Sequence, residues 1–299
     1  MKKRQLNTEE LGIAPQERVK VTTMKHIVEI QYLSNQNTKQ RIQKLSAEEY
    51  VDLDTGEVKK FDRTENRSEG LNSLRKTFNK LRQLINTNFD GSGNELFVTL
   101  TYKGELQTND PKRIYSDYDK FMKRLKYKYK DVSKIDYINV LEPHQSGNFH
   151  MHVLLRFNDV PSIYIPNEEL AKIWGNGFVT IQSLANVDNI GAYVSAYLTD
   201  IEVSTDAQGD AVQEKQVQGG DKKKFVKGGR LHFYPVGVNI YRKSKGIQEP
   251  EVEKMSYKKA QKKLGSCNSP SFVYGVEIFD DENDFKNTII KEQYNLKRK

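Results

Sequence analysis

The chain has 299 residues, of which 36% are hydrophobic, 10% aromatic and 29% charged, and its formal net charge is +8. This composition excludes a disordered chain; no apolar stretch reaches membrane-spanning length and the start MKKRQLNTEE is not a secretory signal, so we predict a cytoplasmic protein without membrane contact. A lone cysteine, Cys267, excludes an internal disulfide and a cysteine-rich zinc site.

The first 70 residues are rich in strand patterns. Residues 25–33 alternate well enough for a strand, and 50–61 predict two short strands around a Thr-Gly turn. An amphipathic helix with a basic outer face is predicted over 71–89, where apolar residues recur at helical spacing with Lys and Arg between them. The sequence DGSG then breaks the chain at 90–93.

The next hundred residues alternate strands and helices. Strands are predicted over 96–102, 135–142, 149–157 and 177–184, and helices over 115–129, 167–175 and 186–201. This order resembles the split βαβ pattern of a ferredoxin-like sheet. We therefore predict an α+β fold, a ferredoxin-like or RRM-like antiparallel sheet with helices packed on one face.

The remaining sequence completes a three-part organisation. Residues 202–220 predict a mobile loop, 229–244 predict two further strands, and the tail from 250 predicts helix, strand and helix. The predicted parts are an N-terminal strand-rich segment with the basic helix, a central domain, and a C-terminal helix–strand–helix extension: 1–94, 95–249 and 250–299.

The stretch NFHMHVLL, 148–155, contains two histidines at alternate positions of a predicted strand. His150 and His152 therefore leave the same face of the sheet. Glu142 ends the preceding strand, and a hairpin through the PHQSGN loop would bring its carboxylate beside both imidazoles. Two histidines and one carboxylate form a divalent-metal site with open positions. The alternative is a histidine pair on a polar solvent face, and His144 in the turn is a substitute ligand.

Two tyrosines lie four residues apart in the helix predicted over 186–201. Tyr193 and Tyr197 share one side, at the edge of its apolar stripe. In one interpretation they are amphipathic core residues whose hydroxyl groups reach water. In the other, their phenolic oxygens are nucleophiles, and a metal-polarised phosphate compensates for an ordinary pKa of about 10.

Basic residues cluster in two runs, KFMKRLKYKYK at 120–130 and DKKKFVKGGR at 221–230. With the sequence pI of about 9.2, they predict a polyanionic partner, although each run could also be a solvated surface. Aromatic residues within the runs could stack on unpaired bases. The candidate DNA-binding residues are Lys120, Lys123, Arg124, Lys222, Lys223, Lys224, Lys227, Arg230 and Lys243.

Three motifs together resemble a known family. FVTLTY, EPHQSGNFHMHVLL and AYVSAYLTD, in this order and spacing, resemble the motifs of HUH endonucleases, in particular the rolling-circle replication initiator (Rep) proteins of phages and plasmids that carry paired tyrosines. The resemblance covers roughly residues 95–200. The later segment GGRLHFYPVGVNIYRKSKGI is similar to the one that follows the tyrosine helix in such proteins.

The resemblance implies a fold and a metal. Residues 95–249 would be the catalytic domain with the HUH endonuclease fold. Glu142, His150 and His152 would hold Mg²⁺ or Mn²⁺, which polarises the scissile phosphate. The first motif, Thr99 to Tyr102, would shape the site or contact DNA.

The resemblance also implies a reaction. Tyr193 and Tyr197 would be nucleophiles on single-stranded origin DNA, one to nick and one to terminate by a second strand transfer. The products would be a 5′-phosphotyrosine link and a free 3′-OH primer, extended with a host replication helicase and polymerase.

One departure from the family pattern concerns a lysine that commonly follows the nucleophile by three residues. Ala196 and Asp200 occupy those positions, so another cation would replace it, from Lys222–Lys224, Lys227, Arg230 or Lys243. A relaxase or transposase of the same superfamily would share the chemistry, although no helicase P-loop is present. The alternative from another class is a non-catalytic RRM-like nucleic-acid-binding module.

Overall fold

A computed structural model of the chain describes residues 2–36, 41–46, 48–61, 71–143, 148–199, 201–203, 212–216, 222–226, 230, 233–234, 237–265, 269–280 and 285–298. Side chains are not described for residues 71–72, 197, 201–203, 212–216 and 222–226. His144, Asp200, Lys227 and Cys267 lie outside the described residues.

The strands, in chain order, are β1 (Lys2–Gln5), β2 (Arg18–Met24), β3 (Ile27–Leu33), β4 (Ile42–Lys44), β5 (Glu49–Asp52), β6 (Val58–Lys60), β7 (Glu95–Tyr102), β8 (Ile135–Pro143), β9 (Phe149–Phe157), β10 (Gly177–Gln182), β11 (Ile201–Val203), β12 (Val212–Gln216), β13 (Lys222–Val226), β14 (Tyr241–Lys243), β15 (Glu251–Ser256), β16 (Phe272–Asp280) and β17 (Phe285–Asn295). The α-helices are α1 (Leu71–Asn88), α2 (Pro111–Lys128), α3 (Asn167–Trp174), α4 (Ile190–Thr199) and α5 (Tyr257–Lys263).

The chain forms two compact units, the first from Met1–Glu65 with Glu251–Lys299 and the second from Asn66–Pro250. The three-part division read from the sequence stays a prediction. In the first unit, a six-stranded sheet has the order β1-β16-β17-β3-β2-β15. Its apolar residues, with those of α5, form one core, and β4, β5 and β6 form a separate small sheet. The predicted Thr-Gly turn joins β5 to β6.

The second unit contains the candidate site. Its five-stranded sheet has the order β10-β7-β9-β8-β14, and every neighbouring pair is antiparallel. The central strands β7 and β9 carry apolar residues on both faces; Val98, for example, packs on one side and Phe97 on the other. Strands buried on both faces need cover on both faces.

Helices supply that cover. Helices α2 and α3 pack on one face, where Trp174 is fully buried and donates from Nε1 to the carbonyl oxygen of Thr101 at 3.2 Å. Helices α1 and α4 pack on the other face, through residues such as Leu81 and Val194. The predicted α+β class with an antiparallel sheet is confirmed. The helices, expected on one face, cover both.

The contact between α1 and α4 is close because of two small polar features. Gly191 lies so near α1 that a Cβ atom there would be 2.4 Å from the carbonyl oxygen of Arg82. Asn86, buried in α1, accepts from the N–H of Gly191 at 2.7 Å and donates to Asn189 at 2.9 Å. Asn189 in turn accepts from the N–H of Ala192 and caps the helix. Helix α4 therefore begins later than its predicted start at 186.

Other predicted elements have mixed outcomes. The hairpin strands β8 and β9 match their predicted bounds to within one residue. The C-terminal helix–strand–helix prediction is wrong: strand β15 precedes α5, and the last element is strand β17. Pairing of β17 with β16 and β3 along its length overrides its helix-like composition. The stretch 202–220, predicted as a loop, contains strand β12, which pairs with β13.

A polar cluster at the far end of β8 gives a pH-dependent prediction. Burial would raise the pKa of Asp136, but hydrogen bonds from Ser244 (2.7 Å), Asn158 (2.9 Å) and Arg156 (3.3 Å) outweigh it and hold that pKa below its ordinary value. We expect Asp136→Asn to lower the free energy of unfolding at neutral pH by about 1 kcal/mol, a modest figure because the cluster is partly exposed.

The sign of the pH effect follows from linkage. A carboxylate with a depressed folded-state pKa stabilises the fold above the unfolded-state pKa of about 3.9. That contribution disappears as the pH falls through the lower folded-state pKa. Urea denaturation of wild type and Asp136→Asn should therefore give a difference in unfolding free energy that shrinks as the pH drops toward about 2. A difference that stays constant with pH would contradict this account.

Candidate functional site

The β8–β9 hairpin brings the predicted acidic residue to the histidines. Its register places Glu142 opposite His150 and Val140 opposite His152. Opposite residues of an antiparallel pair share a face, so the three polar side chains lie on the face covered by α1 and α4. The carboxylate of Glu142 contacts Nε2 of His152, and both side chains are buried. His150, half-buried, lies on the same face.

Two further residues complete the contacts of this pair. The Thr99 hydroxyl lies 3.0 Å from Nδ1 of His152, across the β7–β9 pairing. Arg230 donates to the other carboxylate oxygen of Glu142 at 2.8 Å and to the carbonyl oxygen of Pro143 at 3.2 Å. Burial would raise the pKa of Glu142, but the neighbouring His152, followed by Arg230, outweighs burial and lowers that pKa.

Aromatic rings connect this polar cluster to the tyrosine helix. The imidazole of His152 stacks on Phe97, with ring centroids 5.6 Å apart and planes inclined at 19°. The edge of Phe97 meets Tyr193 at 6.4 Å. Tyr193 is half-buried, and burial raises the pKa of its hydroxyl. The backbone of Tyr197 follows one turn later in α4, and its side chain lies outside the described part of the structure.

The fit of these residues to a metal rests on their donor chemistry. A buried carboxylate touches a buried imidazole, and a second imidazole lies on the same face of the adjacent strand position. These donor types suit Mg²⁺ or, better, Mn²⁺. Within the residues that the structure describes, no three His, Cys, Asp or Glu side chains are grouped closely enough to hold a metal ion. Arg230 instead supplies the positive charge beside Glu142.

The predicted DNA-binding residues fall into three groups. Arg230 alone of the described side chains in this set contacts the Glu142–His152 pair. Lys243 donates to the carbonyl oxygen of Ile247 and pairs with Glu249. Lys222, Lys223 and Lys224 are described as backbone of β13 only, and Lys227 lies outside the described residues.

The basic run of α2 lies across the sheet from the histidines. Arg124 donates to the carbonyl oxygens of Ile173 and Trp174 at 2.7 and 2.8 Å, so it caps the end of α3. Lys120 pairs with Asp117 at 3.3 Å, and Lys123 is exposed. Because α2 packs on the opposite face from α1 and α4, these residues do not join the Glu142–His152 cluster.

Two residues of the site were not identified from the sequence. Phe97 alternates with Thr99 along β7, so the strand period alone could have placed it on the histidine face. Asn86 is a polar residue within the apolar pattern of α1, a signal that a buried hydrogen bond is required. Its partners Asn189 and Gly191 are far along the chain, and no local pattern predicts them.

Comparison with known proteins bears on this part of the chain. Residues 95–202 match the model of a family described as replication-associated protein ORF2. Neither a curated protein nor a solved structure matches the chain. None of the helices in the described part combines the length and apolar character needed to cross a bilayer. The family match supports a replication-initiator role of the Rep type, with DNA as the partner.

Proposed function

We propose that the protein initiates rolling-circle replication by nicking and rejoining single-stranded origin DNA through a tyrosine. The observation that carries the proposal is the contact chain from Glu142 through His152 and Phe97 to Tyr193, which lies within the matched residues 95–202. It joins the three motifs of the sequence in one place. A host replication helicase and polymerase would extend the primer.

The reaction is a transesterification. The hydroxyl oxygen of Tyr193 or Tyr197 forms a bond to phosphorus, the bond from phosphorus to the 3′ oxygen breaks, and the tyrosine loses its proton while the 3′ oxygen gains one. Because burial raises the pKa of Tyr193, its hydroxyl is protonated at neutral pH and the proton leaves during the attack. The phosphotyrosine bond conserves the energy needed for rejoining.

Glu142, His150 and His152 would hold the divalent metal, Mg²⁺ or Mn²⁺. When bound, it supplies Lewis-acid polarisation of the scissile phosphate. Arg230 is our candidate for the cation that replaces the family's lysine, whose positions are taken by Ala196 and Asp200. Its support is the 2.8 Å ion pair with Glu142, which places a permanent positive charge beside the proposed ligands.

The test is a nicking assay on end-labelled single-stranded DNA in Mn²⁺, resolved on a denaturing gel. We expect a covalent protein–DNA adduct that needs the metal, persists in Tyr193→Phe and in Tyr197→Phe, and disappears in the double variant. Each substitution removes only a hydroxyl oxygen and keeps the aromatic ring, so loss of the adduct reports chemistry rather than packing. Loss in one single variant would leave one nucleophile and contradict the paired mechanism.

The competing function is a non-catalytic RRM-like binding module. The observation in its favour is that Arg230 and His152 already engage both oxygens of Glu142. Such a module would bind DNA equally well after chelation and would form no adduct on any of a broad set of origin-like oligonucleotides. That result would replace the nicking proposal. A relaxase or transposase would form the adduct but would not support plasmid or phage replication.

A further inference from the structure

Strand β10 extends the histidine face to the edge of the sheet. Thr180 lies opposite Thr99, which lies opposite His152, and Phe178 lies opposite Thr101. Opposite residues share a face in antiparallel pairs, so Phe178 and Thr180 are on the same face as the histidine. Strands are about 4.8 Å apart, so the β10 positions are about 10 Å from those of β9.

Phe178 is unusual among the aromatic residues of this face. Its side chain is 68% exposed, whereas Phe97 on the same face is 1% exposed. Helices α1 and α4 cover the Phe97 end of the sheet. The exposed ring lies on the edge strand β10, two strands away from the histidine strand. A large exposed ring beside a reactive site is typical of a ligand contact rather than of a core.

The sheet edge next to Phe178 carries positive charge. Lys103 follows β7 directly, Lys172 is in α3, and both are exposed. Together with Gly175 and Gly177 they line a shallow depression of about 430 Å³ at the start of β10, which Glu168 also borders. Gly177 permits this close approach of chains, because a Cβ atom there would be 2.3 Å from the carbonyl oxygen of Thr101.

We propose that Phe178 is a stacking platform for an unpaired base of the single-stranded DNA substrate, with Lys103 and Lys172 facing the adjoining phosphates at the sheet edge. The inference rests on the proposed function and names the path by which its substrate leaves the histidines. An aromatic ring flanked by lysines is how single-strand binding surfaces combine stacking with backbone attraction. The threonine hydroxyls between the ring and His152 keep this path polar, which disfavours an apolar protein partner.

The test separates binding from chemistry. It uses a short oligothymidine without metal and the full chain carrying Tyr193→Phe and Tyr197→Phe, so that no adduct can form. In this background Phe178→Ala should weaken binding roughly tenfold, since stacking on one ring is worth about 1–3 kcal/mol. Tyr164→Ala is the matched control, because Tyr164 is 84% exposed in the same unit but not on β10, and it should bind like the parent.

A second variant reports stacking directly and does not depend on loss of affinity. The natural tryptophan, Trp174, is fully buried, so Phe178→Trp adds an exposed reporter whose emission should be quenched by the oligonucleotide. Lys103→Ala with Lys172→Ala should flatten the salt dependence of binding. Parent-like affinity of Phe178→Ala, or a reporter that is not quenched, would overturn the inference. Quenching without any adduct from wild type would leave the platform and remove only the nicking proposal.

Discussion

Glu142→Ala is expected to lower the free energy of unfolding by about 3 kcal/mol, because removing one partner of a buried ion pair leaves the other charge uncompensated. The side chains of Glu142 and Arg230 are 6% and 16% exposed, so water cannot replace the lost carboxylate fully. The imidazole of His152 loses its partner as well. Urea denaturation followed by circular dichroism measures the change at neutral pH.

The control separates the ion pair from other effects of residue 142. In Glu142→Leu with Arg230→Leu, the buried cation is removed together with its carboxylate, and we expect part of the lost stability to return. Glu142→Gln keeps the shape and should fall between wild type and Glu142→Ala. If the double variant is no more stable than Glu142→Ala, the unpaired guanidinium is not the cause.

Gly191→Ala is expected to lower the free energy of unfolding by about 2 kcal/mol, since overpacking forces neighbouring backbone to shift. The added Cβ would lie 2.4 Å from the carbonyl oxygen of Arg82 and 2.7 Å from Oδ1 of Asn86, so α4 must move away from α1. Because Tyr193 is carried by α4, we also expect the yield of covalent adduct to fall.

Gly104→Ala is the comparison for this variant, because a Cβ atom at position 104 meets nothing within 4 Å. Thermal or urea denaturation of both variants shows whether the loss depends on the helix contact. An unchanged unfolding midpoint for Gly191→Ala would mean that α1 and α4 tolerate a wider separation than the structure indicates. Normal adduct yield in a destabilised Gly191→Ala would separate the helix contact from the chemistry.

The hairpin and the face of its polar residues could be predicted from the sequence because both follow from local rules. Alternation along 149–157 fixes which side His150 and His152 leave, and the turn-rich loop brings Glu142 beside that strand. The direct contact of Glu142 with His152, rather than only with its opposite residue His150, depends on side-chain conformations that strand periodicity does not determine.

The remaining features depend on residues far apart in the chain. Arg230 reaches Glu142 from a segment whose local pattern predicts only strands. The residues of β17 have a helix-like composition, and they form a strand because β16 and β3 offer hydrogen-bonding partners on both sides. Similarly, the start of α4 is set by Asn86 from another helix. Periodicity within a window contains no information about such partners.

The sheet that joins both ends of the chain has a consequence for the order of events during synthesis. Strands β2 and β3 emerge from the ribosome early, yet their outer partners β15 and β17 are made only after the whole second unit. Until then the β2–β3 hairpin presents two unpaired edges, which are the surfaces most open to wrong pairing. The second unit needs no strand from outside Asn66–Pro250 for its own sheet, so it can form while the first waits.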